Sequence, residues 1–336
     1  MTPQHNLPPW SDSAWLAEVS DWIEVETTRL GRPVKGALKQ IHERPWSTVF
    51  QVPTTEATLI FKASADIPPY EVGLTQTLAN LFPNDVLQVF AVDTERGWML
   101  MAEGGTRLRE ILRTERDVGH WQRLLPRYAQ LQMELANHLD ELRELGVPDR
   151  SMSRLPALYQ SLLMDEETLL LGLPGGLVID DHARLLERIP RVAMLCEKLA
   201  AAPFPDSIHH GDLHDGNIFL TEHGYNFFDW GDASISHPFF SLRTAAVSLE
   251  YSLGWEEDSL AFNPLRDIYL EAWSHLGSNV ELLEASRLAK CLSPICSALS
   301  WYRSVASLDM SLRKQYEEAI PSLLQEFLAE DEKTTA

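Results

Sequence analysis

One stretch concentrates the residue types that do chemistry: His209-His210-Gly211-Asp212-Leu213-His214-Asp215-Gly216-Asn217-Ile218-Phe219-Leu220, followed by Phe227-Phe228-Asp229-Trp230-Gly231-Asp232. An aspartate, an asparagine five residues on, and a second aspartate after a short apolar hairpin supply three oxygen-bearing side chains. Phosphoryl transfer from a magnesium nucleotide asks for such a set, because the step needs positioning and charge neutralisation more than covalent chemistry. In kinase-type sites the first aspartate accepts or orients the acceptor hydroxyl, while the asparagine and the second aspartate hold the metal ions against the phosphates. Asp212 and Asn217 have the D-x-x-x-x-N spacing of that loop. Ile218 to Leu220 reads as a strand, Thr221 to Gly224 as a turn and Tyr225 to Phe228 as the returning strand, a hairpin that would deliver Asp229 next to Asn217. Mg2+ favours a few carboxylate or amide oxygens alongside water and phosphate, which this pair can supply.

Taken singly, Asp212 or Asn217 would read as a turn residue; several offsets agreeing at once favour the kinase-type loop. His209, His210 and His214 raise a different option, a metal-hydrolase cluster, since imidazole is a common transition-metal ligand. No second histidine-rich cluster follows downstream to complete one. His210 is expected instead to buttress the loop through hydrogen bonds.

The chain resembles the aminoglycoside phosphotransferase and choline kinase group, members of the protein-kinase-like fold. The resemblance rests on His210-Gly211-Asp212, Asn217 and Phe228-Asp229-Trp230, and extends over roughly residues 35 to 305. It implies that Asp212 is the catalytic base and that Asn217 and Asp229 are magnesium ligands. Members often continue with an Asp-Pro pair and a further Asp before a helix, whereas this chain has His237-Pro238-Phe239-Phe240-Ser241-Leu242, which puts a structural capping role for the second aspartate in question.

Such a loop needs a nucleotide-clamping lobe upstream. Gly36 to Glu43, Ser47 to Val52 and Thr58 to Ala63 read as three strands separated by turn signals at Arg44-Pro45 and Pro53-Thr54-Thr55. Lys62 lies near the end of the third, flanked by Phe61 and Ala63, as a lysine aimed at nucleotide phosphates would be. Tyr70 to Phe82 reads as a helix whose apolar stripe includes Leu74 and Leu78, and Glu71 falls on that stripe. An inward carboxylate needs a partner, and Lys62 is the candidate. The expected phosphate-covering turn, Glu43 to Thr48, contains no glycine, so backbone amides and the Ser47 and Thr48 hydroxyls would have to serve; a plain hairpin turn is the alternative. Gly97 to Gly105, including Glu103, resembles the last strand of the small lobe and the hinge that holds adenine, with Gly104-Gly105 letting the chain turn.

Beyond Thr106 the apolar period becomes helical. Trp121 through Leu142 marks one long amphipathic helix, and Val280 to Phe327 a last one with breaks at Pro294 and Pro321. The expected architecture is α+β and two-lobed, with an antiparallel-sheet lobe over residues 1–104 and a larger, mainly helical lobe over 105–336. The first dozen residues read as a frayed tail and not a signal peptide. Leu169 to Ile179 is apolar but too short to cross a bilayer.

A 336-residue chain that is 45% hydrophobic can build a core in each lobe. Cys196, Cys291 and Cys296 show no metal spacing and are odd in number, which suits a reducing cytoplasmic setting. The net charge of -21 argues against nucleic acid or an anionic membrane as partner and is compatible with a cationic acceptor. Glu256-Glu257-Asp258 after Trp255 could attract an amine or simply start a helix. Trp230, Trp255, Trp273 and Trp301 could cage one or merely pack. The expected activity is transfer of the γ-phosphate of Mg-ATP to a hydroxyl of a small acceptor; a catalytically silent nucleotide-binding protein is the alternative. The acceptor, the choice between ATP and GTP, and the oligomeric state are not legible in the sequence.

Overall fold

The computed structural model describes residues 9–65, 70–254, 262–306 and 308–335; residues 1–8 of the expected tail and the 255–258 cluster lie outside them. The chain divides into two compact units. The first comprises Met1–Leu108, Glu144–Val147 and Gly216–Gly231, and the second Arg109–Arg143, Pro148–Asp215 and Asp232–Ala336.

The first unit holds strands β1 (Lys39–Arg44), β2 (Ser47–Pro53), β3 (Thr58–Ser64), β4 (Val89–Asp93) and β5 (Trp98–Ala102), in an antiparallel sheet ordered β1-β2-β3-β5-β4. Residue alternation sorts its two faces. Phe50, Phe61 and Leu100 pair across the strands and pack with Val19 and Ile23 of helix α1 (Ser13–Arg29). Asp12 caps that helix by accepting from the Ala14 amide at 2.7 Å and the Trp15 amide at 3.2 Å. The opposite face carries Ile60, Met99 and Met101 against Val72 of helix α2 (Tyr70–Leu81). A second, three-stranded sheet joins β6 (Thr106–Arg107) to the hairpin made by β8 (Ile218–Thr221) and β9 (Gly224–Phe227).

Gly104 and Gly105 precede β6 for a reason other than turn conformation, since neither takes a positive φ. A Cβ on Gly104 would meet the Phe219 ring at 2.2 Å, and one on Gly105 the Leu220 carbonyl oxygen at 2.3 Å. Close approach of the β8 strand is what requires glycine here.

The second unit is mainly helical, with a two-stranded pairing of β7 (Ser207–His209) and β10 (Ser234–Ser236). The expected helix over Trp121 to Leu142 is two helices, Gly119–Leu135 and Leu139–Glu144. The last segment differs more. Helix Asn279–Val305 runs through Pro294, where no break was required. Proline leaves the carbonyl of residue 290 without its amide donor, and the Ser293 hydroxyl donates to that oxygen at 3.2 Å. Pro321 lies in the first turn of helix Ala319–Thr335, where a missing amide costs little.

His237 stands where the family pattern has the aspartate of its Asp-Pro pair, and it caps the turn that follows. Its Nδ1 accepts from the Phe239 amide at 3.2 Å at the head of the Pro238–Phe240 turn. Burial depresses its pKa to about 3, so the ring is neutral and able to accept. Burial, followed by the charge of Arg150, brings His209 to about 3 as well. Both folded values lie below the ordinary histidine value, so the unfolded chain binds the extra protons and stability falls as pH drops from about 6.5 toward 3. Each proton contributes up to about 1.4 kcal/mol per pH unit. Asp206, pushed up to about 6 by burial, works in the opposite sense and partly offsets one of them. Denaturant melts at pH 7 and pH 5 are expected to show lower stability at pH 5, with His237→Asn flattening the dependence.

Candidate functional site

In the first unit the buried Lys62 ammonium donates to Glu71 Oε1 at 2.5 Å and to Asp229 Oδ1 at 2.6 Å. Ser64 Oγ donates to the other Glu71 oxygen at 2.7 Å. Glu71 is only 2% exposed, as its place on the apolar stripe of α2 demands. The burial of Lys62 disfavours its charge, but Asp229 and then Glu71 outweigh that and hold the ammonium well above its ordinary pKa. Burial pushes the Glu71 carboxyl up against the pull of Lys62. One cation therefore serves two carboxylates, and the more open of them, Asp229, has its side chain 46% exposed.

The hairpin explains how Asp229 reaches that place. Ile218 pairs with Phe227, and the Phe228 amide then donates to the Asn217 carbonyl at 3.2 Å, so Asp229 follows one residue beyond Asn217's partner. Asp229 turns there with φ +66°, a left-handed conformation that aspartate and asparagine tolerate better than most residues. Strain of this kind gathers at functional sites.

Register places a further residue at the same sheet face. His42 pairs with Val49, and Val49 with Lys62, so the three lie in one cross-strand row. Arg107 of β6 lies over the Phe228 ring at 5.7 Å, and Phe228 stacks on Phe219 at 4.2 Å. The Thr48 hydroxyl is committed to its own hairpin, donating to the His42 carbonyl at 3.0 Å and accepting from Gln40 Nε2 at 3.0 Å. Ser47 is buried and pairs with Arg44 across a two-residue turn. Glu103 is exposed and accepts from Gln51 Nε2 at 3.3 Å.

Asp212 belongs to the second unit. Gly211 precedes it with φ +81°, and a Cβ there would meet the Asp232 carbonyl oxygen at 2.2 Å. Gly211→Ala is therefore expected to cost more than about 1 kcal/mol and to lower the melting temperature, because both conformation and space forbid the methyl. The Asp212 amide donates to His210 Nδ1 at 3.3 Å, the buttress that the sequence suggested. His214 Nε2 lies 3.2 Å from Asp212 Oδ2, whose side chain is 42% exposed. Burial opposes charge on His214, but the Asp212 hydrogen bond and charge prevail and raise its pKa. The three histidines point to different partners, since His209 Nδ1 meets Ser241 Oγ at 3.0 Å. Among the described residues no three His, Cys, Asp or Glu side chains converge as a metal-ligand group.

Asp215 sits inside the motif but reads in the sequence as a spacer. It is fully buried, paired with Arg109 Nε at 2.7 Å and bonded by the Ser252 hydroxyl, and its amide donates to Ser248 Oγ at 2.9 Å. No local pattern reveals Arg109 as its partner, because the two are brought together by the fold. A cavity of about 290 Å³ opens beside Asp212, lined also by His214, Arg109, Thr244, Val247, Ser248 and Tyr251.

Among the described residues, Trp230, Trp273 and Trp301 pack against neighbouring side chains. Trp230 and Trp273 are fully buried, Trp273 against Phe239 at 5.6 Å, and Trp301 lies on Tyr316 at 5.7 Å. Trp255 lies outside the described residues. All three cysteines are buried and unpaired as disulfides.

Residues 71–276 match the model of the phosphotransferase enzyme family, APH. Three solved structures show the same fold. Ethanolamine kinase from Plasmodium vivax aligns with TM-score 0.60 at 12% identity over 95% of this chain and 89% of that one. Choline kinase from Cryptosporidium parvum aligns with TM-score 0.59 at 12% identity over 88% and 89%. APH(2")-IIia, solved with GDP and kanamycin, aligns with TM-score 0.57 at 14% identity over 93% and 99%. A search of curated proteins finds no match. Identities this low carry the α+β kinase-like fold and not the substrate.

Proposed function

This chain belongs to the phosphotransferase enzyme family, and on that premise we propose that it moves the γ-phosphate of ATP, with Mg2+, to a hydroxyl of a small molecule. The observation that carries the reading is Lys62 bridging Glu71 and Asp229, the lysine-glutamate pair and metal-binding aspartate that phosphoryl transfer uses. Lys62 is shared by Glu71 and the half-exposed Asp229, and the Phe228 amide on the Asn217 carbonyl ties Asn217 to the residue before Asp229. Hard oxygen donors of that kind suit Mg2+. Asn217 and Asp229 would hold it, and when bound it neutralises charge on the phosphates.

Lys62, with Arg107 as a further cation, is assigned the phosphates, and Glu71 keeps Lys62 in place; His42 in the same row is held neutral by burial and the charge of Arg44. Ser47, Thr48 and Glu103 remain nucleotide contacts in this proposal through their backbone, because the Thr48 hydroxyl and Glu103 carboxylate are engaged elsewhere. Asp212 takes the proton from the acceptor hydroxyl as it attacks, and its half-exposed carboxylate at the mouth of a cavity suits that role. Buried, reduced thiols suit a cytoplasmic protein.

Titration calorimetry with ATP and with GTP, with and without Mg2+, tests the nucleotide half of the proposal. Magnesium-dependent binding is expected, and nucleotide binding that ignores Mg2+ would contradict it. An acceptor screen with γ-labelled ATP then tests transfer.

A further inference from the structure

We propose that Trp10, ahead of α1, is a positioning residue that fixes the phosphate-covering turn between β1 and β2, so that this glycine-free turn is ordered before nucleotide arrives. The inference rests on the kinase reading and deepens it by naming what holds the phosphate contacts in place.

Strand β1 needs such a hold. It is the edge strand of its sheet and pairs with β2 alone, and all six of its residues are exposed. Its ladder is interrupted by a bulge between Gln40 and His42, and the Thr48 hydroxyl on the His42 carbonyl belongs to the same hairpin. An edge strand without buried side chains opens locally at low cost. Among the described residues, one hydrogen bond reaches β1 from outside the hairpin: Trp10 Nε1 donates to the Arg44 carbonyl at 2.8 Å. Arg44 is the last residue of the strand, next to the Pro45-Trp46 turn.

Trp10 is well placed to act as an anchor. It is 4% exposed, its ring meets Trp15 edge-on at 5.1 Å, and Trp15 in turn contacts Trp98 at 6.2 Å and Phe50 at 6.4 Å. The Asp12 amide donates to the Pro9 carbonyl at 2.9 Å, closing the chain around Trp10 just before the Asp12-capped helix. An indole combines an apolar body that packs with a polar tip that needs an acceptor. The other side of the turn is tied to a different element. The Ala65 amide donates to the Trp46 carbonyl at 2.8 Å, Ser64 pairs with Ser47, and the Ser64 hydroxyl donates to Glu71, the partner of Lys62. The turn is therefore held at Arg44 by the aromatic core beneath α1 and at Trp46 by the end of the strand that carries Lys62. A glycine-rich loop keeps backbone freedom that binding must remove. A turn already held in place spares the ligand that cost.

The test uses the full chain and Trp10→Phe, which keeps an aromatic ring and removes the donor. Binding of Mg-ATP to the wild type is measured first, and its absence would overturn the kinase reading and this inference with it. Given that binding, Trp10→Phe is expected to raise the Kd of Mg-ATP by about three- to tenfold, the fall in the population of the held turn that losing one net hydrogen bond allows. The Kd of adenosine, which carries no phosphate, should not change. Val19→Ala serves as the control for general weakening, because Val19 is fully buried in the same core cluster as Trp10. That variant should melt lower than the wild type and keep its ratio of ATP to adenosine affinity. Hydrogen exchange without nucleotide reads the turn directly: β1 should exchange faster in Trp10→Phe, with β3 and β5 as in the wild type. Unchanged ATP affinity, equal weakening of ATP and adenosine, the same shift of ratio in Val19→Ala, or wild-type exchange in β1 would each overturn the role of Trp10 and leave the kinase reading standing.

Discussion

Replacing Asp212 by alanine is expected to lower kcat by about 10²- to 10⁴-fold, the range for loss of a positioned general base, with Mg-ATP affinity unchanged. The loop should keep its shape, because the Asp212 amide to His210 Nδ1 bond and the His214 amide to Asp212 carbonyl bond are made by the main chain. Affinity should survive because Lys62, Glu71 and Asp229 belong to the other unit. A second readout reports on the side chain itself. Asp212 raises the His214 pKa against burial, with a smaller contribution from Asp215, so Asp212→Ala should lower the His214 titration followed by NMR. Wild-type turnover in Asp212→Ala would remove the base from the mechanism.

Asp229→Ala is expected to abolish transfer and to weaken magnesium-dependent ATP binding by about tenfold or more, since one lost charge-assisted contact is worth about 1.5 kcal/mol or more. Alanine changes the backbone as well as the charge. At φ +66° it gives up a residue suited to the left-handed region, at a cost of about 1 kcal/mol. Asp229→Asn separates the effects, because asparagine tolerates that conformation yet cannot supply the charge. The asparagine variant should melt above the alanine variant and still lose magnesium dependence in calorimetry. If both variants bind Mg-ATP normally, the metal is held elsewhere.

Much of this was readable before any coordinates. The Asp212 to Asn217 spacing, the hairpin leading to Asp229 and the strand carrying Lys62 are local, and each rests on a period or a turn signal within about ten residues. Glu71 was readable for the same reason, because its place on the apolar stripe of α2 required a buried partner. Pro294 misled because the rule for proline in helices is local while its remedy, a neighbouring serine hydroxyl on the orphaned carbonyl, belongs to the particular turn.

The sequence by itself determined which groups are candidates for the proposed chemistry, since their identities and spacings are covalent facts. Tertiary structure alone decided their electrical setting: Asp229 drawn onto Lys62 across 167 positions, Arg109 onto Asp215 across 106, and Thr48 turned into its own hairpin. Charge pairing acts over ångströms in space, while the chain fixes only distance along itself. The acidity of the whole molecule therefore did not foretell that, among the described residues lining the cavity, Asp212 is met by a histidine and Arg109 lies beside it.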